Sequence, residues 1–172
     1  MRSQWIRPLL AATLALAAGA ALAAKKAPID PVSKKPVKIT DKTPRLLVNF
    51  DPIYFQTAAN KAAFLKAPEK YLAKARAECP VRGLKTKPSK SNRLIVNGGL
   101  LYFCCTSCPS EFLKNPGDYA PPIKDPVTGE KFSLTADGPH LKIGNAHWYF
   151  ATDENLAKFK ADPAKYSKGA PK

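Results

Sequence analysis

Apolar and polar positions follow the same pattern three times along this chain. Each copy has a Tyr-Phe pair, a second Phe nine residues after the first, a Pro four residues later and a Tyr three residues after that. The three copies span residues 54–71, 102–119 and 149–166. Because these anchor residues keep one register in all three copies, the pattern predicts a three-repeat array.

In each copy an apolar hairpin is predicted, and its second strand ends at the Tyr-Phe pair. In the middle copy, strands at 93–96 and 100–103 flank the turn Asn97-Gly98-Gly99. Asn and Gly tolerate the positive φ that a tight hairpin turn requires, so this is the strongest of the three turn signals. The other two turns are predicted at Gly144-Asn145 and Asp51-Pro52.

A short helix is predicted after each hairpin. Thr57 and Thr152 stand where an N-cap residue would fall, and Pro68 and Pro163 stop the helix. Since Pro is accepted in the first turn of a helix, each of these prolines can also begin another helix. The pattern extends the second helix of the first copy as far as Glu78.

The repeated aromatic residues predict a core that clamps each helix onto its hairpin. A unit of about 45 residues buries too little apolar surface to fold alone, so each unit needs neighbours, a metal ion or disulfides. The predicted aromatic core consists of Phe55, Phe64, Tyr71, Phe103, Phe112, Tyr119, Phe150, Phe159 and Tyr166.

The predicted fold class is therefore α+β, with three tandem small hairpin-plus-helix repeats of treble-clef-like form. A Pro-Val dipeptide begins each repeat. We place the first segment at residues 30–74, the middle segment at 79–120 and the third segment at 125–168. Residues 24–29 are predicted to be a linker, and residues 169–172 a tail.

The first 23 residues have the pattern of a bacterial export signal. Arg2 and Arg7 form a basic start, an apolar run covers residues 9–22, and Ala21-Leu22-Ala23 fits an A-x-A cleavage site. A lone membrane anchor is the rival interpretation, but the run is short for a spanning helix. We therefore expect a periplasmic or secreted protein.

The charge of the chain is strongly positive. Without Arg2 and Arg7, 26 basic residues face 13 acidic ones, a net charge of about +13. The lysines are spread over every repeat instead of forming one patch, which argues against a nucleic-acid partner. At most, the charge predicts peripheral contact with anionic lipid head groups.

All four cysteines fall in the middle segment. Cys79 lies on the Pro-Val turn, while Cys104, Cys105 and Cys108 lie where the strand ends and the helix begins. In the register of the other copies, Cys105 replaces the capping Thr and Cys108 replaces an Asn. A helix N-terminus favours thiolates, and a turn thiol that meets two thiols at a helix start is a geometry that soft metals use.

The middle segment resembles the YHS domain family. The resemblance is carried by Cys79-Pro80-Val81-x-Gly83, by Tyr102-Phe103-Cys104-Cys105-x-x-Cys108 and by the later Phe112, Pro116 and Tyr119. The spacing of Cys79, Cys104 and Cys108 is similar to the related TRASH pattern, which is linked to heavy-metal trafficking, resistance and sensing. The resemblance implies that these three cysteines are metal ligands.

The first and third segments resemble the family only in degenerate form. At the three ligand positions the first segment has Asp30, Gln56 and Asn60. The third segment has Asp125, Ala151 and Asn155 there. These two segments are therefore not expected to bind a soft metal.

The residue types narrow the choice of ion. Three thiolates suit trigonal Cu(I) or Hg(II), and a fourth ligand would make a tetrahedral Zn(II) site. Cys105 is the candidate fourth ligand, although adjacent side chains point apart at a strand end, which favours a spare, capping or exchange thiol. His140 and His147 are expected to be ordinary surface residues.

The function we expect is that of an exported, non-enzymatic protein that buffers or traffics Cu(I) or another soft ion, with a metal-delivery or efflux protein as partner. One alternative is a structural or interaction module in which Cys79 is disulfide-bonded to Cys104 or Cys108. The other is a thiol-disulfide redox protein that uses Cys105 and Cys108. No catalytic triad, carboxylate pair or phosphate-binding loop is found in the sequence.

Overall fold

The computed structural model describes residues 27–72, 77–168, 170 and 171. It contains both helices and strands, so the α+β class is confirmed. The predicted export signal and its cleavage site lie outside the described residues. Within the described ranges, no helix has the length and apolar character needed to cross a membrane. The division of the chain into three tandem repeats stays a prediction from the sequence pattern.

Ten strands and six α-helices make up the described part of the chain. The strands are β1 (Arg45–Val48), β2 (Asp51–Tyr54), β3 (Ala77–Glu78), β4 (Lys85–Thr86), β5 (Arg93–Val96), β6 (Gly99–Tyr102), β7 (Ile123–Lys124), β8 (Lys131–Phe132), β9 (His140–Ile143) and β10 (Ala146–Tyr149). The helices are α1 (Ala58–Lys66), α2 (Pro68–Leu72), α3 (Cys108–Lys114), α4 (Pro116–Tyr119), α5 (Asp153–Ala161) and α6 (Pro163–Tyr166).

Three hairpins join into one six-stranded sheet with the order β2-β1-β6-β5-β10-β9. Strands pair antiparallel within each hairpin and parallel between hairpins, where Val48 is aligned with Leu100 and Ala146 with Ile95. Two short ribbons, β3-β4 and β7-β8, stand apart from this sheet. The middle hairpin is therefore held between the other two.

The sheet is covered on both faces. Successive residues of a strand point to opposite faces, so Leu100 and Leu101 of β6 belong to different cores. Leu100 packs in one cluster with Phe64 of α1 and Phe159 of α5. Leu101 packs in another cluster with Phe112 of α3. Helices of the first and third segments thus share one face of the sheet, and the helix of the middle segment covers the other.

The first hairpin turns at Asn49-Phe50, so the predicted turn at Asp51-Pro52 is wrong. Asn49 and Phe50 have φ of 48° and 68°, the left-handed conformation that a tight two-residue turn requires. Asp51 and Pro52 begin β2, in which Pro52 is aligned with Leu47. Proline is tolerated there because β2 is an edge strand and one side of it needs no ladder hydrogen bond.

The first two hairpins each have one turn asparagine that is hydrogen-bonded to the backbone beyond its own hairpin. Asn49 accepts a hydrogen bond from the Tyr102 N–H at 2.7 Å and donates to the Tyr102 and Glu78 carbonyls. Asn97 accepts from the Tyr149 N–H at 2.7 Å and donates to the Tyr149 and Lys124 carbonyls. Gly144 stands at this position of the third hairpin.

The predicted helix caps are confirmed. Thr57 accepts a hydrogen bond from the Asn60 N–H at 3.1 Å, and Thr152 accepts one from the Asn155 N–H at 3.3 Å. Pro68 and Pro163 begin α2 and α6, as the sequence predicts, and Pro116 begins α4 in the same way. The predicted continuation of the second helix to Glu78 is wrong, because Glu78 pairs with Lys85 in the β3-β4 ribbon.

The six phenylalanines of the repeated pattern are at most 2 % exposed. In each segment the two phenylalanine rings meet edge to face, with centroids 5.1 to 5.8 Å apart. Tyr71, Tyr119 and Tyr166 are half-buried, and each lies against the second Phe of its segment. Burying each phenylalanine is worth about 1.5 to 3 kcal/mol, so these rings are a main source of stability for each segment.

Candidate metal centre

Cys79 is positioned by the tight turn of the β3-β4 ribbon. Its N–H donates to the Leu84 carbonyl at 2.9 Å, and its carbonyl accepts from the Gly83 N–H at 2.8 Å. Gly83 has a φ of 63°, which an L side chain would adopt only under strain. This turn fixes the backbone on both sides of the first thiol.

Cys104 and Cys108 come from the segment that links β6 to α3. Their Sγ atoms lie 3.7 Å apart. The Sγ atoms of Cys79, Cys104 and Cys108 all lie within 4.8 Å of one another, with Cys79 and Cys108 buried and Cys104 half-buried. The structure thus brings together the three residues implied by the family resemblance, in an arrangement that could hold a metal ion.

Backbone donors surround the Cys79 thiol. Burial disfavours its thiolate, but the N–H groups of Cys104, Arg82 and Val81 outweigh burial and hold the pKa of Cys79 below its usual value. A turn that directs N–H groups at sulfur stabilises negative charge before any ion arrives. Cys79 is therefore prepared to act as a thiolate ligand.

Cys105 lies beside the three-thiol group without belonging to it. Its Sγ is 2.9 Å from Cys108 Sγ and 3.2 Å from Ser107 Oγ. Hydrogen bonds from Cys108 and Ser107 to its thiolate lower the pKa of Cys105 to about 6. Burial, followed by its contacts with the neighbouring thiols, raises the pKa of Cys108 to about 12.

The prediction that Cys105 takes the N-cap position is wrong, because α3 begins at Cys108 and Ser107 is its N-cap residue. Pro109 lies in the first turn of α3, a position that proline favours. The Cys105 sulfur still accepts hydrogen bonds from the N–H groups of Ser107 and Cys108. It therefore keeps part of the capping role that Thr57 and Thr152 have elsewhere.

All four cysteines are free thiols. The structure therefore contains no bond between Cys79 and either Cys104 or Cys108, the pairing that a disulfide-stapled module would use. The histidines lie elsewhere: His140 is exposed and stacks on Tyr149, and His147 is half-buried on β10. Burial lowers the pKa of His147, with smaller contributions from Lys142 and His140.

A buried carboxylate occupies the Cys79 position in the first segment. Asp30 accepts hydrogen bonds from the N–H groups of Val32 and Ser33 at 2.8 and 3.3 Å, and from the Gln56 N–H at 2.8 Å. The side-chain amide of Asn60 donates to it at 2.7 Å. These donors stand in register with Val81, Arg82, Cys104 and Cys108.

The third segment repeats this arrangement around Asp125. The N–H groups of Val127, Thr128 and Ala151 donate to its carboxylate at 2.7, 3.2 and 2.8 Å, and the Asn155 amide donates at 3.0 Å. A hydrogen bond between Asp and Asn thus joins the turn to the helix where the middle segment has thiols. The sequence pattern alone marked Asp30 and Asp125 only as positions without a thiol. An Asp side chain that accepts a hydrogen bond from the N–H two residues later is nevertheless a known feature of turns.

Arg82 is a further residue that sequence reasoning missed. Its exposed side chain lies close enough to the thiolates that Cys108, then Cys105, raise the pKa of Arg82. Its guanidinium also lies 4.0 Å from the Glu111 carboxylate of α3. In the sequence, Arg82 is recognisable only as the variable residue of the Cys-Pro-Val-x-Gly turn. This position does not indicate which residues the Arg82 side chain approaches.

Comparison of the chain with protein-family models, with curated proteins and with solved structures finds no match.

Proposed function

We propose that this is an exported, non-enzymatic protein whose middle segment binds one soft metal ion through Cys79, Cys104 and Cys108. It buffers Cu(I) or a similar ion and hands it to a delivery or efflux protein. The observation that carries the proposal is the convergence of three thiols from the turn and the helix start, all within 4.8 Å of one another.

The spacing of the sulfur atoms suits a bound ion. With metal–sulfur distances of about 2.3 Å, sulfur atoms lie about 4.0 Å apart around a trigonal ion and about 3.8 Å apart around a tetrahedral one. Cys104 and Cys108 are already 3.7 Å apart. Loading therefore requires side-chain shifts of less than about 1 Å, without any rearrangement of the fold.

The ligand set favours a monovalent ion that accepts three thiolates. Three thiolates and one Cu(I) carry a net charge of −2, which the surroundings must stabilise. The N–H groups of Val81, Arg82 and Cys104 point at Cys79, and the Arg82 side chain adds a positive charge near Cys108. Zn(II) would need a fourth ligand, for which Cys105 is the nearest thiol.

Two sequence features support the biological setting. The YHS-like and TRASH-like spacing of the cysteines is associated with heavy-metal handling, and the N-terminal residues have the pattern of an export signal. In an oxidising compartment, a bound ion would also protect the three thiols from random oxidation. The basic surface allows at most peripheral contact with a membrane.

Native mass spectrometry of the reduced chain without residues 1–23, titrated with Cu(I) under anaerobic conditions, tests this function. We expect uptake of one ion, abolished in each of the variants Cys79→Ser, Cys104→Ser and Cys108→Ser. Cys105→Thr is the matched control, because Thr stands at this position in both other segments. No uptake by the reduced protein, or uptake that survives all three Ser variants, would refute the proposal.

A further inference from the structure

Cys108 belongs to two thiol pairs at once. Its Sγ lies 3.7 Å from Cys104 Sγ, inside the proposed metal site, and 2.9 Å from Cys105 Sγ, outside it. Cys105 is half-buried and Cys108 is buried. One sulfur is therefore shared between a metal-binding arrangement and a second arrangement that leaves only Cys79 and Cys104 as ligands.

The geometry favours Cys105–Cys108 over Cys104–Cys108 as the site of a disulfide. A disulfide has a sulfur–sulfur distance of about 2.05 Å, so this pair must close by about 0.9 Å and Cys104–Cys108 by about 1.7 Å. Cys105 and Cys108 also have two residues between them and lie at a helix start, which is the arrangement of C-x-x-C redox pairs. In the other two segments Thr57 and Thr152 stand where Cys105 stands, and each caps a helix. A thiol at this position keeps a capping contact and adds chemistry that Thr lacks.

We propose that Cys105 and Cys108 are a thiol–disulfide exchange site, whose oxidation withdraws Cys108 from the metal and releases the ion. This inference rests on the proposed metal-binding function. It makes the oxidation state of this pair the control on whether the ion is held.

The exchange takes two steps with a disulfide R–S–S–R of a small molecule or an exported protein as the oxidant. The Cys105 thiolate attacks one sulfur of this disulfide, forms a mixed disulfide and displaces R–S⁻, which takes up a proton. The Cys108 sulfur leaves the metal, attacks the Cys105 sulfur and displaces the second R–S⁻, which also takes up a proton. Two cysteine thiols are oxidised, and one disulfide is reduced to two thiols. With only Cys79 and Cys104 left as thiolate ligands, the ion is released.

One equivalent of dipyridyl disulfide, added to the reduced chain without residues 1–23, tests the pairing directly. The pyridinethione that it releases is counted by its absorbance. On the metal-free protein we expect loss of two thiols and, by peptide mapping, a cross-link between Cys105 and Cys108. A cross-link that contains Cys79, or one between Cys104 and Cys108, would overturn the proposal.

The same oxidation of the Cu(I)-loaded protein tests the release. Wild type is expected to lose its ion to a Cu(I) chelator at least tenfold faster after oxidation, and to bind it again after reduction with dithiothreitol. Cys105→Thr should bind the ion equally well and keep it through the oxidation. Equal release from this variant and wild type would overturn the redox control. If the reduced wild type binds no ion, the metal-binding function and the release step both fail, while the cross-link map of the metal-free protein still decides the pairing.

Discussion

The side chain of Asn97 adds hydrogen bonds to the β5-β10 pairing that joins the middle hairpin to the third segment, and its replacement by Ala should destabilise the whole fold. Its side chain makes three hydrogen bonds to backbone atoms, with the Tyr149 N–H at 2.7 Å, the Tyr149 carbonyl at 2.9 Å and the Lys124 carbonyl at 3.2 Å. Asn97 also has a φ of 42°, a conformation that Asn tolerates better than Ala does.

The magnitude follows from these contacts. The two bonds to Tyr149 are partly buried and contribute about 1 kcal/mol each, whereas water can replace the exposed bond to Lys124. Placing Ala in the left-handed region costs about 1 kcal/mol more. We therefore expect Asn97→Ala to lower the free energy of unfolding by about 3 kcal/mol, a large part of the 5 to 15 kcal/mol that is typical of a domain.

Urea unfolding of the reduced, metal-free protein measures this change. Trp148 is the only tryptophan after residue 23, is buried, and lies next to the Asn97-Gly98 turn, so its fluorescence reports on this junction. Asn145→Ala, at the exposed turn of the third hairpin, is the control and should change stability by less than about 0.5 kcal/mol. A loss below about 1 kcal/mol for Asn97→Ala, or one equal to the control, would refute this contribution of Asn97.

Three further variants test other parts of the structure. Burial opposes the charged form of Asp30, but hydrogen bonds from Gln56, Asn60 and the turn outweigh it and lower the pKa of Asp30. Its stabilisation is therefore complete above the unfolded pKa of about 3.9 and is lost as pH falls through the lower folded value. Asp30→Asn should lower stability at neutral pH and flatten the loss of stability below about pH 4, and an unchanged acid profile would contradict this. Gly117→Ala places a Cβ against the Leu134 carbonyl oxygen and should cost about 1 to 3 kcal/mol in urea unfolding, whereas a neutral effect would show that the contact yields. The triple variant Asp125→Cys, Ala151→Cys and Asn155→Cys places three thiols in the third segment at the positions of Cys79, Cys104 and Cys108. It should bind a second Cu(I), measured by native mass spectrometry. Uptake of only one ion would refute the shared register.

Local signals were sufficient for much of the fold. Asn97-Gly98 fixed the middle turn, and Thr57 and Thr152 fixed two helix starts, because each acts through its own neighbours in the chain. The turn at Asn49-Phe50 was missed since Asp51-Pro52 is the commoner turn signal and the edge position of β2 is not visible in the sequence. The start of α3 was misplaced because register with the other copies was given more weight than Pro109.

Long-range features of the site could not be predicted in the same way. The family resemblance implied that Cys79, Cys104 and Cys108 act together, and their sulfur atoms do lie within 4.8 Å of one another. By contrast, Asn49 bonds to Tyr102 across 53 positions, and no local pattern identifies that partner. The 2.9 Å distance between the Cys105 and Cys108 sulfur atoms also depends on the conformation of the residues just before α3.

The arrangement of the middle segment would allow the proposed metal site to lose its ion without unfolding of the protein. Small zinc domains fold only when the metal is bound, because they have no other core. Here Leu101, Phe103 and Phe112 pack in a buried cluster of their own, and the flanking hairpins add the Asn49 and Asn97 contacts on both sides. In the other two segments, N–H groups of the turn donate to an Asp carboxylate, and in the middle segment the equivalent N–H groups donate to Cys79. The turn therefore keeps its hydrogen bonds when no ion is present. Loss of a bound ion would therefore break metal–sulfur bonds but leave the core intact. We expect the metal-free protein to be folded and to show a cooperative unfolding transition in urea. The proposed transfer of the ion to a partner by stepwise ligand exchange requires this property, since the emptied site must stay ready for the next ion.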